Sequence, residues 1–258
     1  MTTATLTRLA LDVRPPLAEI RLHNPPLNVI DIPMMEELAQ VLAEIEADPK
    51  IVAIAFHGSQ KAFSVGVDVA AHTPDKVEPM LTKFHAVIRA IVASKKVSIA
   101  AVQGQCLGGA AELAMVCDLV YTSELATWAF PEIKLGCFPP VAVTALAALV
   151  GQKHAADLIL TGRNITGKEA AAIGLANTVV AEVDLEHTVD ETVQHLSQLS
   201  PVALAITKKA FYAWDSMHFD KGLARAEKIY FEELIKTDDA QEGIKAFMQK
   251  RKPEWKGK

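Results

Sequence analysis

The chain has 258 residues, half of them hydrophobic, with a formal net charge of −5 and a pI near 5.9. This length can bury a sizeable core, and the composition is that of a globular protein rather than a disordered one. The acidic balance argues against general nucleic-acid binding, which needs a basic surface, and no apolar run is long enough to span a bilayer.

The three cysteines, Cys106, Cys117 and Cys137, form no CxxC pair and no metal-ligand spacing with histidine. An odd count without framework spacing is typical of a reducing compartment. The first residues lack the basic and apolar regions of a signal peptide. We therefore expect a soluble, cytoplasmic protein with no bound metal.

Strands are predicted over residues 5–11 and 17–23, joined by a turn at Pro15-Pro16. The prolines of residues 24–28 predict a loop, after which Asp31 is expected to cap a helix that ends at Asp48-Pro49. Apolar residues recur at helical spacing through this helix: Met34, Met35, Leu38, Val41, Leu42 and Ile45.

Two apolar runs, residues 51–56 and Val97–Val102, predict strands that are covered on both faces. A glycine-bearing loop over residues 61–69 follows the first, residues 70–82 are expected to be irregular, and a helix passes through residues 84–91. Gly108 and Gly109 follow the second strand. Both strands thus deliver an exposed-backbone glycine at their carboxyl ends, where ligands collect in sheets with helical crossovers.

Gly108-Gly109 opens a short helix that is apolar on every side except at Glu112. A carboxylate buried there costs several kcal/mol unless it is paired, neutralised or used. One interpretation is a buried Glu satisfied by a distant Arg or Lys; the other is a catalytic acid/base. Bare amides at the start of the same helix favour a site that stabilises an enolate.

Strands are predicted over residues 118–122 and 127–130, and Glu132 follows them in an apolar neighbourhood, where it is expected to be a solvated loop carboxylate on this ground alone. Pro139-Pro140 forces a turn before a helix to Val150. Two short helices over residues 152–175 and an amphipathic helix over residues 184–199 follow.

Beyond Pro201 we expect three or more helices forming an appended region that docks on a neighbouring subunit. The Lys250-Arg251-Lys252 cluster is expected to be a solvated chain end. Six aromatic residues of the region are interpreted as packing residues: Phe211, Tyr212, Trp214, Phe219, Tyr230 and Phe231.

Four segments together resemble the enoyl-CoA hydratase/isomerase (crotonase) superfamily, in order and with the family's spacing. They are Lys61-Ala-Phe-Ser-Val-Gly-Val-Asp68, Gly104-Gln-Cys-Leu-Gly-Gly-Ala-Ala-Glu-Leu-Ala-Met-Val-Cys-Asp118, Phe130-Pro-Glu-Ile-Lys-Leu-Gly136 and Gln241-Glu-Gly-Ile-Lys-Ala-Phe-Met-Gln-Lys-Arg-Lys-Pro253. The resemblance covers almost the whole chain. It implies an α/β fold with a spiral of ββα units over residues 1–199 and a helical trimerisation region over residues 200–258, assembled as a homotrimer or homohexamer.

The resemblance also implies a site for an acyl-CoA substrate. The thioester oxygen would lie between the N–H groups of Val67 and Gly109, and Glu112 and Glu132 would hold the water that is added to a conjugated double bond. Coenzyme A would be part of the substrate, with no other cofactor. Its expected contacts are with Lys61, Val65, Asp68, Val69, Phe247 and Lys250, of which Lys250 would reach the coenzyme A of an adjacent subunit.

Two departures from the family pattern bear on the substrate. Ala70 replaces a frequent lysine, and residues 138–144 replace a glycine-rich segment that flanks the acyl pocket. Phe138-Pro-Pro and Pro25-Pro-Leu-Asn-Val-Ile-Asp31 are similar to hydratases of cyclic dienoyl-CoA esters from anaerobic aromatic degradation. The finer expectation is hydration of cyclohexa-1,5-diene-1-carboxyl-CoA to the 6-hydroxycyclohexene thioester. The alternatives are an enoyl-CoA isomerase or dehydratase, and a noncatalytic acyl-CoA- or RNA-binding relative.

Overall fold

The computed structural model describes residues 6–73 and 75–258, and for residues 213–218 it describes the backbone only. Its strands are β1 (Leu9–Arg14), β2 (Leu17–Leu22), β3 (Ala53–His57), β4 (Ala62–Ser64), β5 (Val97–Val102), β6 (Gln105–Leu107), β7 (Leu119–Ser123), β8 (Thr127–Ala129), β9 (Ile165–Thr166) and β10 (Thr178–Val180).

The α-helices are α1 (Ile32–Ala47), α2 (Val77–Ala93), α3 (Gly109–Met115), α4 (Pro140–Val150), α5 (Gln152–Thr161), α6 (Gly167–Ala172), α7 (Leu185–Ser197), α8 (Pro201–Glu232) and α9 (Asp238–Met248). Short 3₁₀ segments span Val69–His72, Pro131–Leu135, Glu182–Asp184 and Leu234–Lys236.

Two sheets run through the molecule. The larger has the strand order β1-β2-β3-β5-β7-β10, antiparallel between β1 and β2 and parallel elsewhere. The smaller has the order β4-β6-β8-β9, parallel except between β8 and β9. Each of the pairs β3–β4, β5–β6 and β7–β8 therefore adds one strand to each sheet before the chain passes into helical structure. This is the repeating ββα architecture that the resemblance implied, and the α/β fold class is confirmed.

Helix α1 shows how local sequence builds the scaffold. The Asp31 side chain accepts a hydrogen bond from the N–H of Met34 and caps the helix, and Pro33 stands in its first turn. The whole apolar stripe predicted for this helix is buried. The loop at residues 24–28, the strand Val97–Val102 and the helix that begins at Gly109 are likewise confirmed.

Three segments differ from the prediction by more than two residues. The first strand begins at Leu9 rather than residue 5, because the N–H groups of Thr7 and Arg8 bond to the Glu37 carboxylate and not to a strand partner; residue 5 itself lies outside the described residues. The loop over residues 61–69 contains strand β4. The stretch 70–82 is less irregular than expected, since Pro79 lies in the first turn of α2, where proline is tolerated; Pro74 is not described.

The C-terminal region is helical, as expected, and α8 packs against α4 and α2 while α9 packs against the 3₁₀ segments Val69–His72 and Pro131–Leu135. Of the aromatic residues interpreted as packing residues, Tyr230 is buried but Phe211 is 73% exposed, so that interpretation was wrong for Phe211. The side chain of Trp214 lies outside the described residues. The division of the chain at residue 200 stays a prediction. Within the described residues, no helix has both the length and the apolar character needed to cross a membrane.

Candidate active site

Glu112 lies in the first turn of α3 and is 2% exposed. Its Oε1 accepts hydrogen bonds from the backbone N–H groups of Val141 (2.8 Å) and Ala142 (2.9 Å), which belong to the first turn of α4. Of the two interpretations of Glu112, the one with a distant Arg or Lys partner is not supported within the described residues, because two amides of a helix N-terminus are the donors to its carboxylate. Burial raises the pKa of Glu112, although the two N–H donors oppose that effect.

Glu132 lies in the 3₁₀ segment Pro131–Leu135, directly after strand β8. The interpretation as a solvated loop carboxylate was wrong, because its Oε2 is buried and has no hydrogen-bond partner among the described residues. Burial raises the pKa of Glu132 well above its ordinary value, and the charge of Glu112 raises it further. The two carboxyl groups are thus close enough to repel each other, which makes them a coupled pair.

Gly108 brings the second carboxyl group to the start of α3. A Cβ built on Gly108 would lie 2.7 Å from Oε1 of Glu132, and the backbone of Gly108 has a φ of +55°. Only glycine combines that backbone conformation with such close contact at low cost. The sequence Gly108-Gly109 therefore allows the Glu132 side chain to approach the helix that carries Glu112.

Two backbone amides lie beside this pair. No hydrogen bond from the N–H of Val67 or Gly109 is found within the described residues. The two segments are in contact: a Cβ on Gly66 would lie 3.3 Å from the Gly109 nitrogen, and a Cβ on Gly109 would lie 2.7 Å from Cγ2 of Val67. The arrangement offers two adjacent donors to an approaching oxygen atom.

Both amide-bearing segments are held in place by backbone hydrogen bonds. Ile30 forms a parallel bridge with Val67, with its N–H bonded to the Gly66 carbonyl and its own carbonyl accepting from Asp68. The Gly108 N–H donates to the Ala129 carbonyl of β8. Backbone hydrogen bonds thus fix the amides on both sides of the site independently of any ligand.

The residues expected to contact coenzyme A are more dispersed. Lys61 is exposed, Val65 and Val69 are half-buried, and the Asp68 side chain accepts from the Ala70 N–H, capping the segment Val69–His72. Nothing in this geometry assigns these residues to a ligand, so their contacts with coenzyme A stay predictions.

Phe247 and Lys250 are exposed at the end of α9. Helix α9 is fixed against the segment that carries Glu132, because a Cβ on Gly243 would lie 2.2 Å from the Leu135 carbonyl oxygen. The contact of Lys250 with an adjacent subunit's coenzyme A stays a prediction.

The sequence analysis did not identify Tyr230 as a residue near the glutamates, because no local pattern distinguishes it from other tyrosines. Tyr230 of α8 is 1% exposed, and its hydroxyl has no hydrogen-bond partner among the described residues. Burial raises its pKa well above the ordinary value, and its interaction with the Cys137 thiol and the charges of Glu132 and Glu112 raise it further. Its ring packs edge-on against Phe138, with centroids 5.2 Å apart. A third polar side chain therefore lies near the glutamate pair.

A cavity of about 900 Å³ lies between α4 and α8. It is lined largely by apolar residues, among them Met115, Phe138, Leu175 and Phe219. Neither glutamate lines it, so it is not the site that the two carboxyl groups form. No cluster of three or more His, Cys, Asp or Glu side chains suited to a metal ion occurs within the described part of the chain.

Comparison with known proteins identifies the family of this chain. The sequence model of the enoyl-CoA hydratase/isomerase family matches residues 14–258. The cyclohexa-1,5-dienecarbonyl-CoA hydratase of Thauera aromatica is 34% identical over 242 residues, which cover 94% of this chain and 93% of that protein. A probable enoyl-CoA hydratase of Bacillus subtilis strain 168 is 32% identical over 258 residues, covering 98% and 100% of the two chains.

The fold has close counterparts among solved structures. The crystal structure of an enoyl-CoA hydratase from Mycobacterium avium subsp. paratuberculosis K-10 superposes with a TM-score of 0.87 at 27% identity, covering 97% of this chain and 99% of that one. Sequence and structure therefore agree over nearly the full length, and the chain belongs to the enoyl-CoA hydratase/isomerase family.

Proposed function

We propose that this chain adds water to the double bond of a conjugated enoyl-CoA thioester through Glu112 and Glu132. Enoyl-CoA hydratase-type activity, that of a hydro-lyase, follows from the family and from the hydratases among its relatives. The observation that carries the residue assignment is geometric: the Glu132 carboxyl group lies against Gly108, at the start of the helix that buries Glu112, beside two amides without hydrogen bonds.

The amides of Val67 and Gly109 would bind the thioester oxygen. Attack on a double bond conjugated to the thioester moves negative charge onto that oxygen, giving an enolate. Donors already in place where charge develops stabilise the transition state by several kcal/mol without reorganising. The backbone hydrogen bonds around Gly66 and Gly108 supply this preorganisation.

The two glutamates have different surroundings, and the difference supports different roles. Glu112 receives two N–H bonds at the start of α4, which favour its ionised form. Glu132 has a buried, unpartnered Oε2 and faces the charge of Glu112, so it retains its proton to higher pH. We therefore assign Glu112 as the base that activates water and Glu132 as the acid.

Hydration would proceed in two steps, attack by water and then protonation of carbon. The water oxygen forms a bond to the β-carbon while one water proton passes to Glu112, and the π electrons move to the thioester oxygen. The enolate then collapses as Glu132 gives its proton to carbon. At this point Glu112 is protonated and Glu132 is ionised. Transfer of one proton from Glu112 to Glu132 restores the starting protonation states. Coenzyme A is carried in as part of the substrate, and no resident cofactor is invoked.

The finer proposal is that the acyl group is a ring: cyclohexa-1,5-diene-1-carboxyl-CoA, converted to 6-hydroxycyclohex-1-ene-1-carboxyl-CoA. The hydratase of Thauera aromatica named for such a substrate is 34% identical to this chain. In this chain Phe138 precedes the α4 turn that holds Glu112, and its ring packs against Tyr230. The similarity of Phe138-Pro-Pro and Pro25-Pro-Leu-Asn-Val-Ile-Asp31 to hydratases of cyclic dienoyl-CoA esters supports the same substrate.

We also propose assembly as a homotrimer or homohexamer in the cytoplasm. Helix α8 carries several strongly exposed apolar side chains, which a neighbouring copy would cover: Val202, Ile206 and Phe211. Sedimentation of the purified protein tests the assembly, and a monomer at micromolar concentration would contradict it.

The substrate proposal is tested by turnover. Purified protein is offered crotonyl-CoA, cyclohex-1-ene-1-carboxyl-CoA and cyclohexa-1,5-diene-1-carboxyl-CoA, and loss of conjugated thioester absorbance is followed with mass analysis of products formed in ¹⁸O-labelled water. We expect the cyclic diene to have the highest kcat/KM and the product to carry one labelled hydroxyl. If crotonyl-CoA is the best substrate, the ring proposal fails while hydration stands.

The roles of the glutamates are tested separately. Glu112→Gln and Glu132→Gln are each expected to lower hydration by about two orders of magnitude or more, since a positioned acid or base contributes that much. Glu36→Gln, which alters only a surface ion pair with Lys83, is the matched control. Unchanged rates in the two site variants would favour a noncatalytic acyl-CoA-binding protein, and exchange of carbon-bound protons without a hydroxyacyl product would identify an isomerase.

A further inference from the structure

Two buried polar atoms in the glutamate region have no partner among the described residues: the hydroxyl of Tyr230 and Oε2 of Glu132. Leaving a buried donor or acceptor unpaired costs about 1–3 kcal/mol, and each such group in a native fold calls for an explanation. The two do not bond to each other, although the charge of Glu132 is felt at Tyr230. A ligand group lying between them would satisfy both.

The chemistry of the two atoms restricts that group. Burial and the nearby carboxyl groups keep Tyr230 protonated by raising its pKa, so its hydroxyl acts as a donor. A carboxyl oxygen accepts when ionised and donates when protonated. The group between them must therefore accept a hydrogen bond from Tyr230. It must also donate a hydrogen bond to the Glu132 oxygen when Glu132 is ionised, or accept one when Glu132 is protonated. A hydroxyl group or a water molecule can do all of this.

The Tyr230 ring is held in place independently of its hydroxyl. It packs edge-on against Phe138, at 5.2 Å and 72°, and against Phe231, at 6.1 Å and 74°. The Cys137 thiol interacts with the Tyr230 hydroxyl, although its own hydrogen is directed toward the Leu135 carbonyl oxygen at 3.6 Å and no hydrogen bond of normal length and angle joins it to Tyr230. The aromatic contacts therefore fix the position of the side chain without a hydrogen bond from its hydroxyl.

We infer that Tyr230 is a third contact of the hydroxyl that the enzyme adds, donating a hydrogen bond to the oxygen held by Glu112 and Glu132. This rests on the proposed hydratase function. In the forward direction the bond orients the attacking water with its lone pair toward carbon; in the product the same bond holds the new alcohol. Helix α8 thus contributes to recognition of the hydroxyacyl group as well as to packing.

The test compares ligands that differ only by that hydroxyl. Binding of 6-hydroxycyclohex-1-ene-1-carboxyl-CoA and cyclohex-1-ene-1-carboxyl-CoA, and of 3-hydroxybutyryl-CoA and butyryl-CoA, is measured by titration calorimetry for wild type and Tyr230→Phe. We expect Tyr230→Phe to weaken the binding of at least one hydroxylated ester about fivefold and to leave the binding of the matching ester without the hydroxyl unchanged. A fivefold loss is what one net hydrogen bond of about 1 kcal/mol provides. Equal changes for both members of each pair would overturn the inference.

Turnover and stability supply the second readout. Tyr230→Phe is expected to lower kcat for hydration about tenfold with KM changed less than twofold and the melting temperature not lowered, because the lost hydroxyl was unpaired. A lower melting temperature with unchanged kcat would mean a purely structural role. Tyr121→Phe is the matched control, since it removes a hydroxyl bonded to Thr192 at 2.8 Å, away from the glutamates. If wild type hydrates none of the esters, the proposed function fails, while the binding comparison still decides whether Tyr230 contacts a hydroxyl.

Discussion

The carboxylate of Glu112 and the backbone N–H of Val141 join helices α3 and α4 through a hydrogen bond of 2.8 Å inside the core. The neighbouring amide of Ala142 donates to the same oxygen. One oxygen of Glu112 is thereby fixed, and the other is left for chemistry. The start of α4 thus positions the proposed base and favours its ionised form.

The first prediction concerns the pH dependence of activity. Burial raises the pKa of Glu112 to about 7, and that of Glu132 is raised further above its ordinary value by Glu112. The base must be ionised and the acid protonated, so kcat/KM should rise through about pH 7 and fall again at higher pH. The apparent values belong to the pair. A kcat/KM profile that is flat between pH 5 and 8 would contradict the assignment.

The second prediction concerns stability. Both carboxyl groups have folded pKa values above their ordinary 4.5, so their contribution to stability is complete below that pH and is lost as pH rises through the folded values. The Glu132→Gln variant should lose less stability than wild type as pH rises, because it has one carboxyl group fewer to ionise inside the fold. Its free energy of unfolding should match wild type near pH 4.5 and exceed it at pH 8, because the variant has no carboxyl group at this position to ionise.

The comparison requires denaturant unfolding of both proteins at each pH. Glu36→Gln serves as the control, because Glu36 forms an exposed pair with Lys83. Its difference from wild type should not grow between pH 4.5 and pH 8. A Glu132→Gln variant that is less stable than wild type at pH 8 would show that the Glu132 charge is stabilised in the fold, against the prediction.

The sequence predicted the elements whose signals are local. Helix α1 follows from the Asp31 cap and an apolar stripe, and strand β5 follows from a continuous apolar run. A lone carboxylate, Glu112, in an otherwise apolar helix, together with the glycines before it, already indicated a candidate catalytic site. These signals lie within a few residues of the features that they predict, so no tertiary information was needed.

What the sequence did not predict depends on contacts between distant segments. The donors to Glu112 are 29 and 30 positions away, and an amide leaves no side-chain signature. The burial of Glu132 results from its approach to Gly108, and β1 begins late because Glu37 takes the N–H groups of Thr7 and Arg8. The role of Glu132 was supplied by family resemblance rather than by local pattern.

The third prediction concerns the amide pair. A Cβ added at Gly109 would lie 2.7 Å from Cγ2 of Val67 and 3.2 Å from the Phe84 ring, so Gly109→Ala must push the two amide-bearing segments apart. Misplacement of the two donors should lower kcat by about 10² or more, because oxyanion donors act only at short range. Steady-state kinetics on the best substrate measure this.

Gly151→Ala is the control for this variant. Gly151 has a φ of +80°, and a Cβ there meets nothing within 4 Å. The alanine variant therefore carries backbone strain of about 1–3 kcal/mol without crowding the site. We expect reduced stability with kcat within about twofold of wild type. If Gly109→Ala also retains kcat, the amides do not bind the thioester oxygen.

The fourth prediction concerns the anchor of α8, the helix that carries Tyr230. The Lys208 ammonium is 2.7 Å from Oδ2 of Asp118 and 2.8 Å from the Lys96 carbonyl oxygen, and both side chains of the ion pair are largely buried. The same Asp118 oxygen accepts from the Ser98 N–H and hydroxyl. Lys208→Met leaves a buried charge without its cation, which costs about 3 kcal/mol or more.

Urea unfolding should show this loss for Lys208→Met and a change of less than about 1 kcal/mol for Lys83→Met, which breaks an exposed ion pair. Adding Asp118→Asn to Lys208→Met should restore part of the stability, because the remaining group is then neutral and the uncompensated charge is gone. Equal destabilisation by the two single lysine variants would mean that the buried pair contributes no more than a surface one. Since α8 docks through this pair while its far end carries Tyr230, Lys208→Met should also reduce kcat under conditions where the protein remains folded.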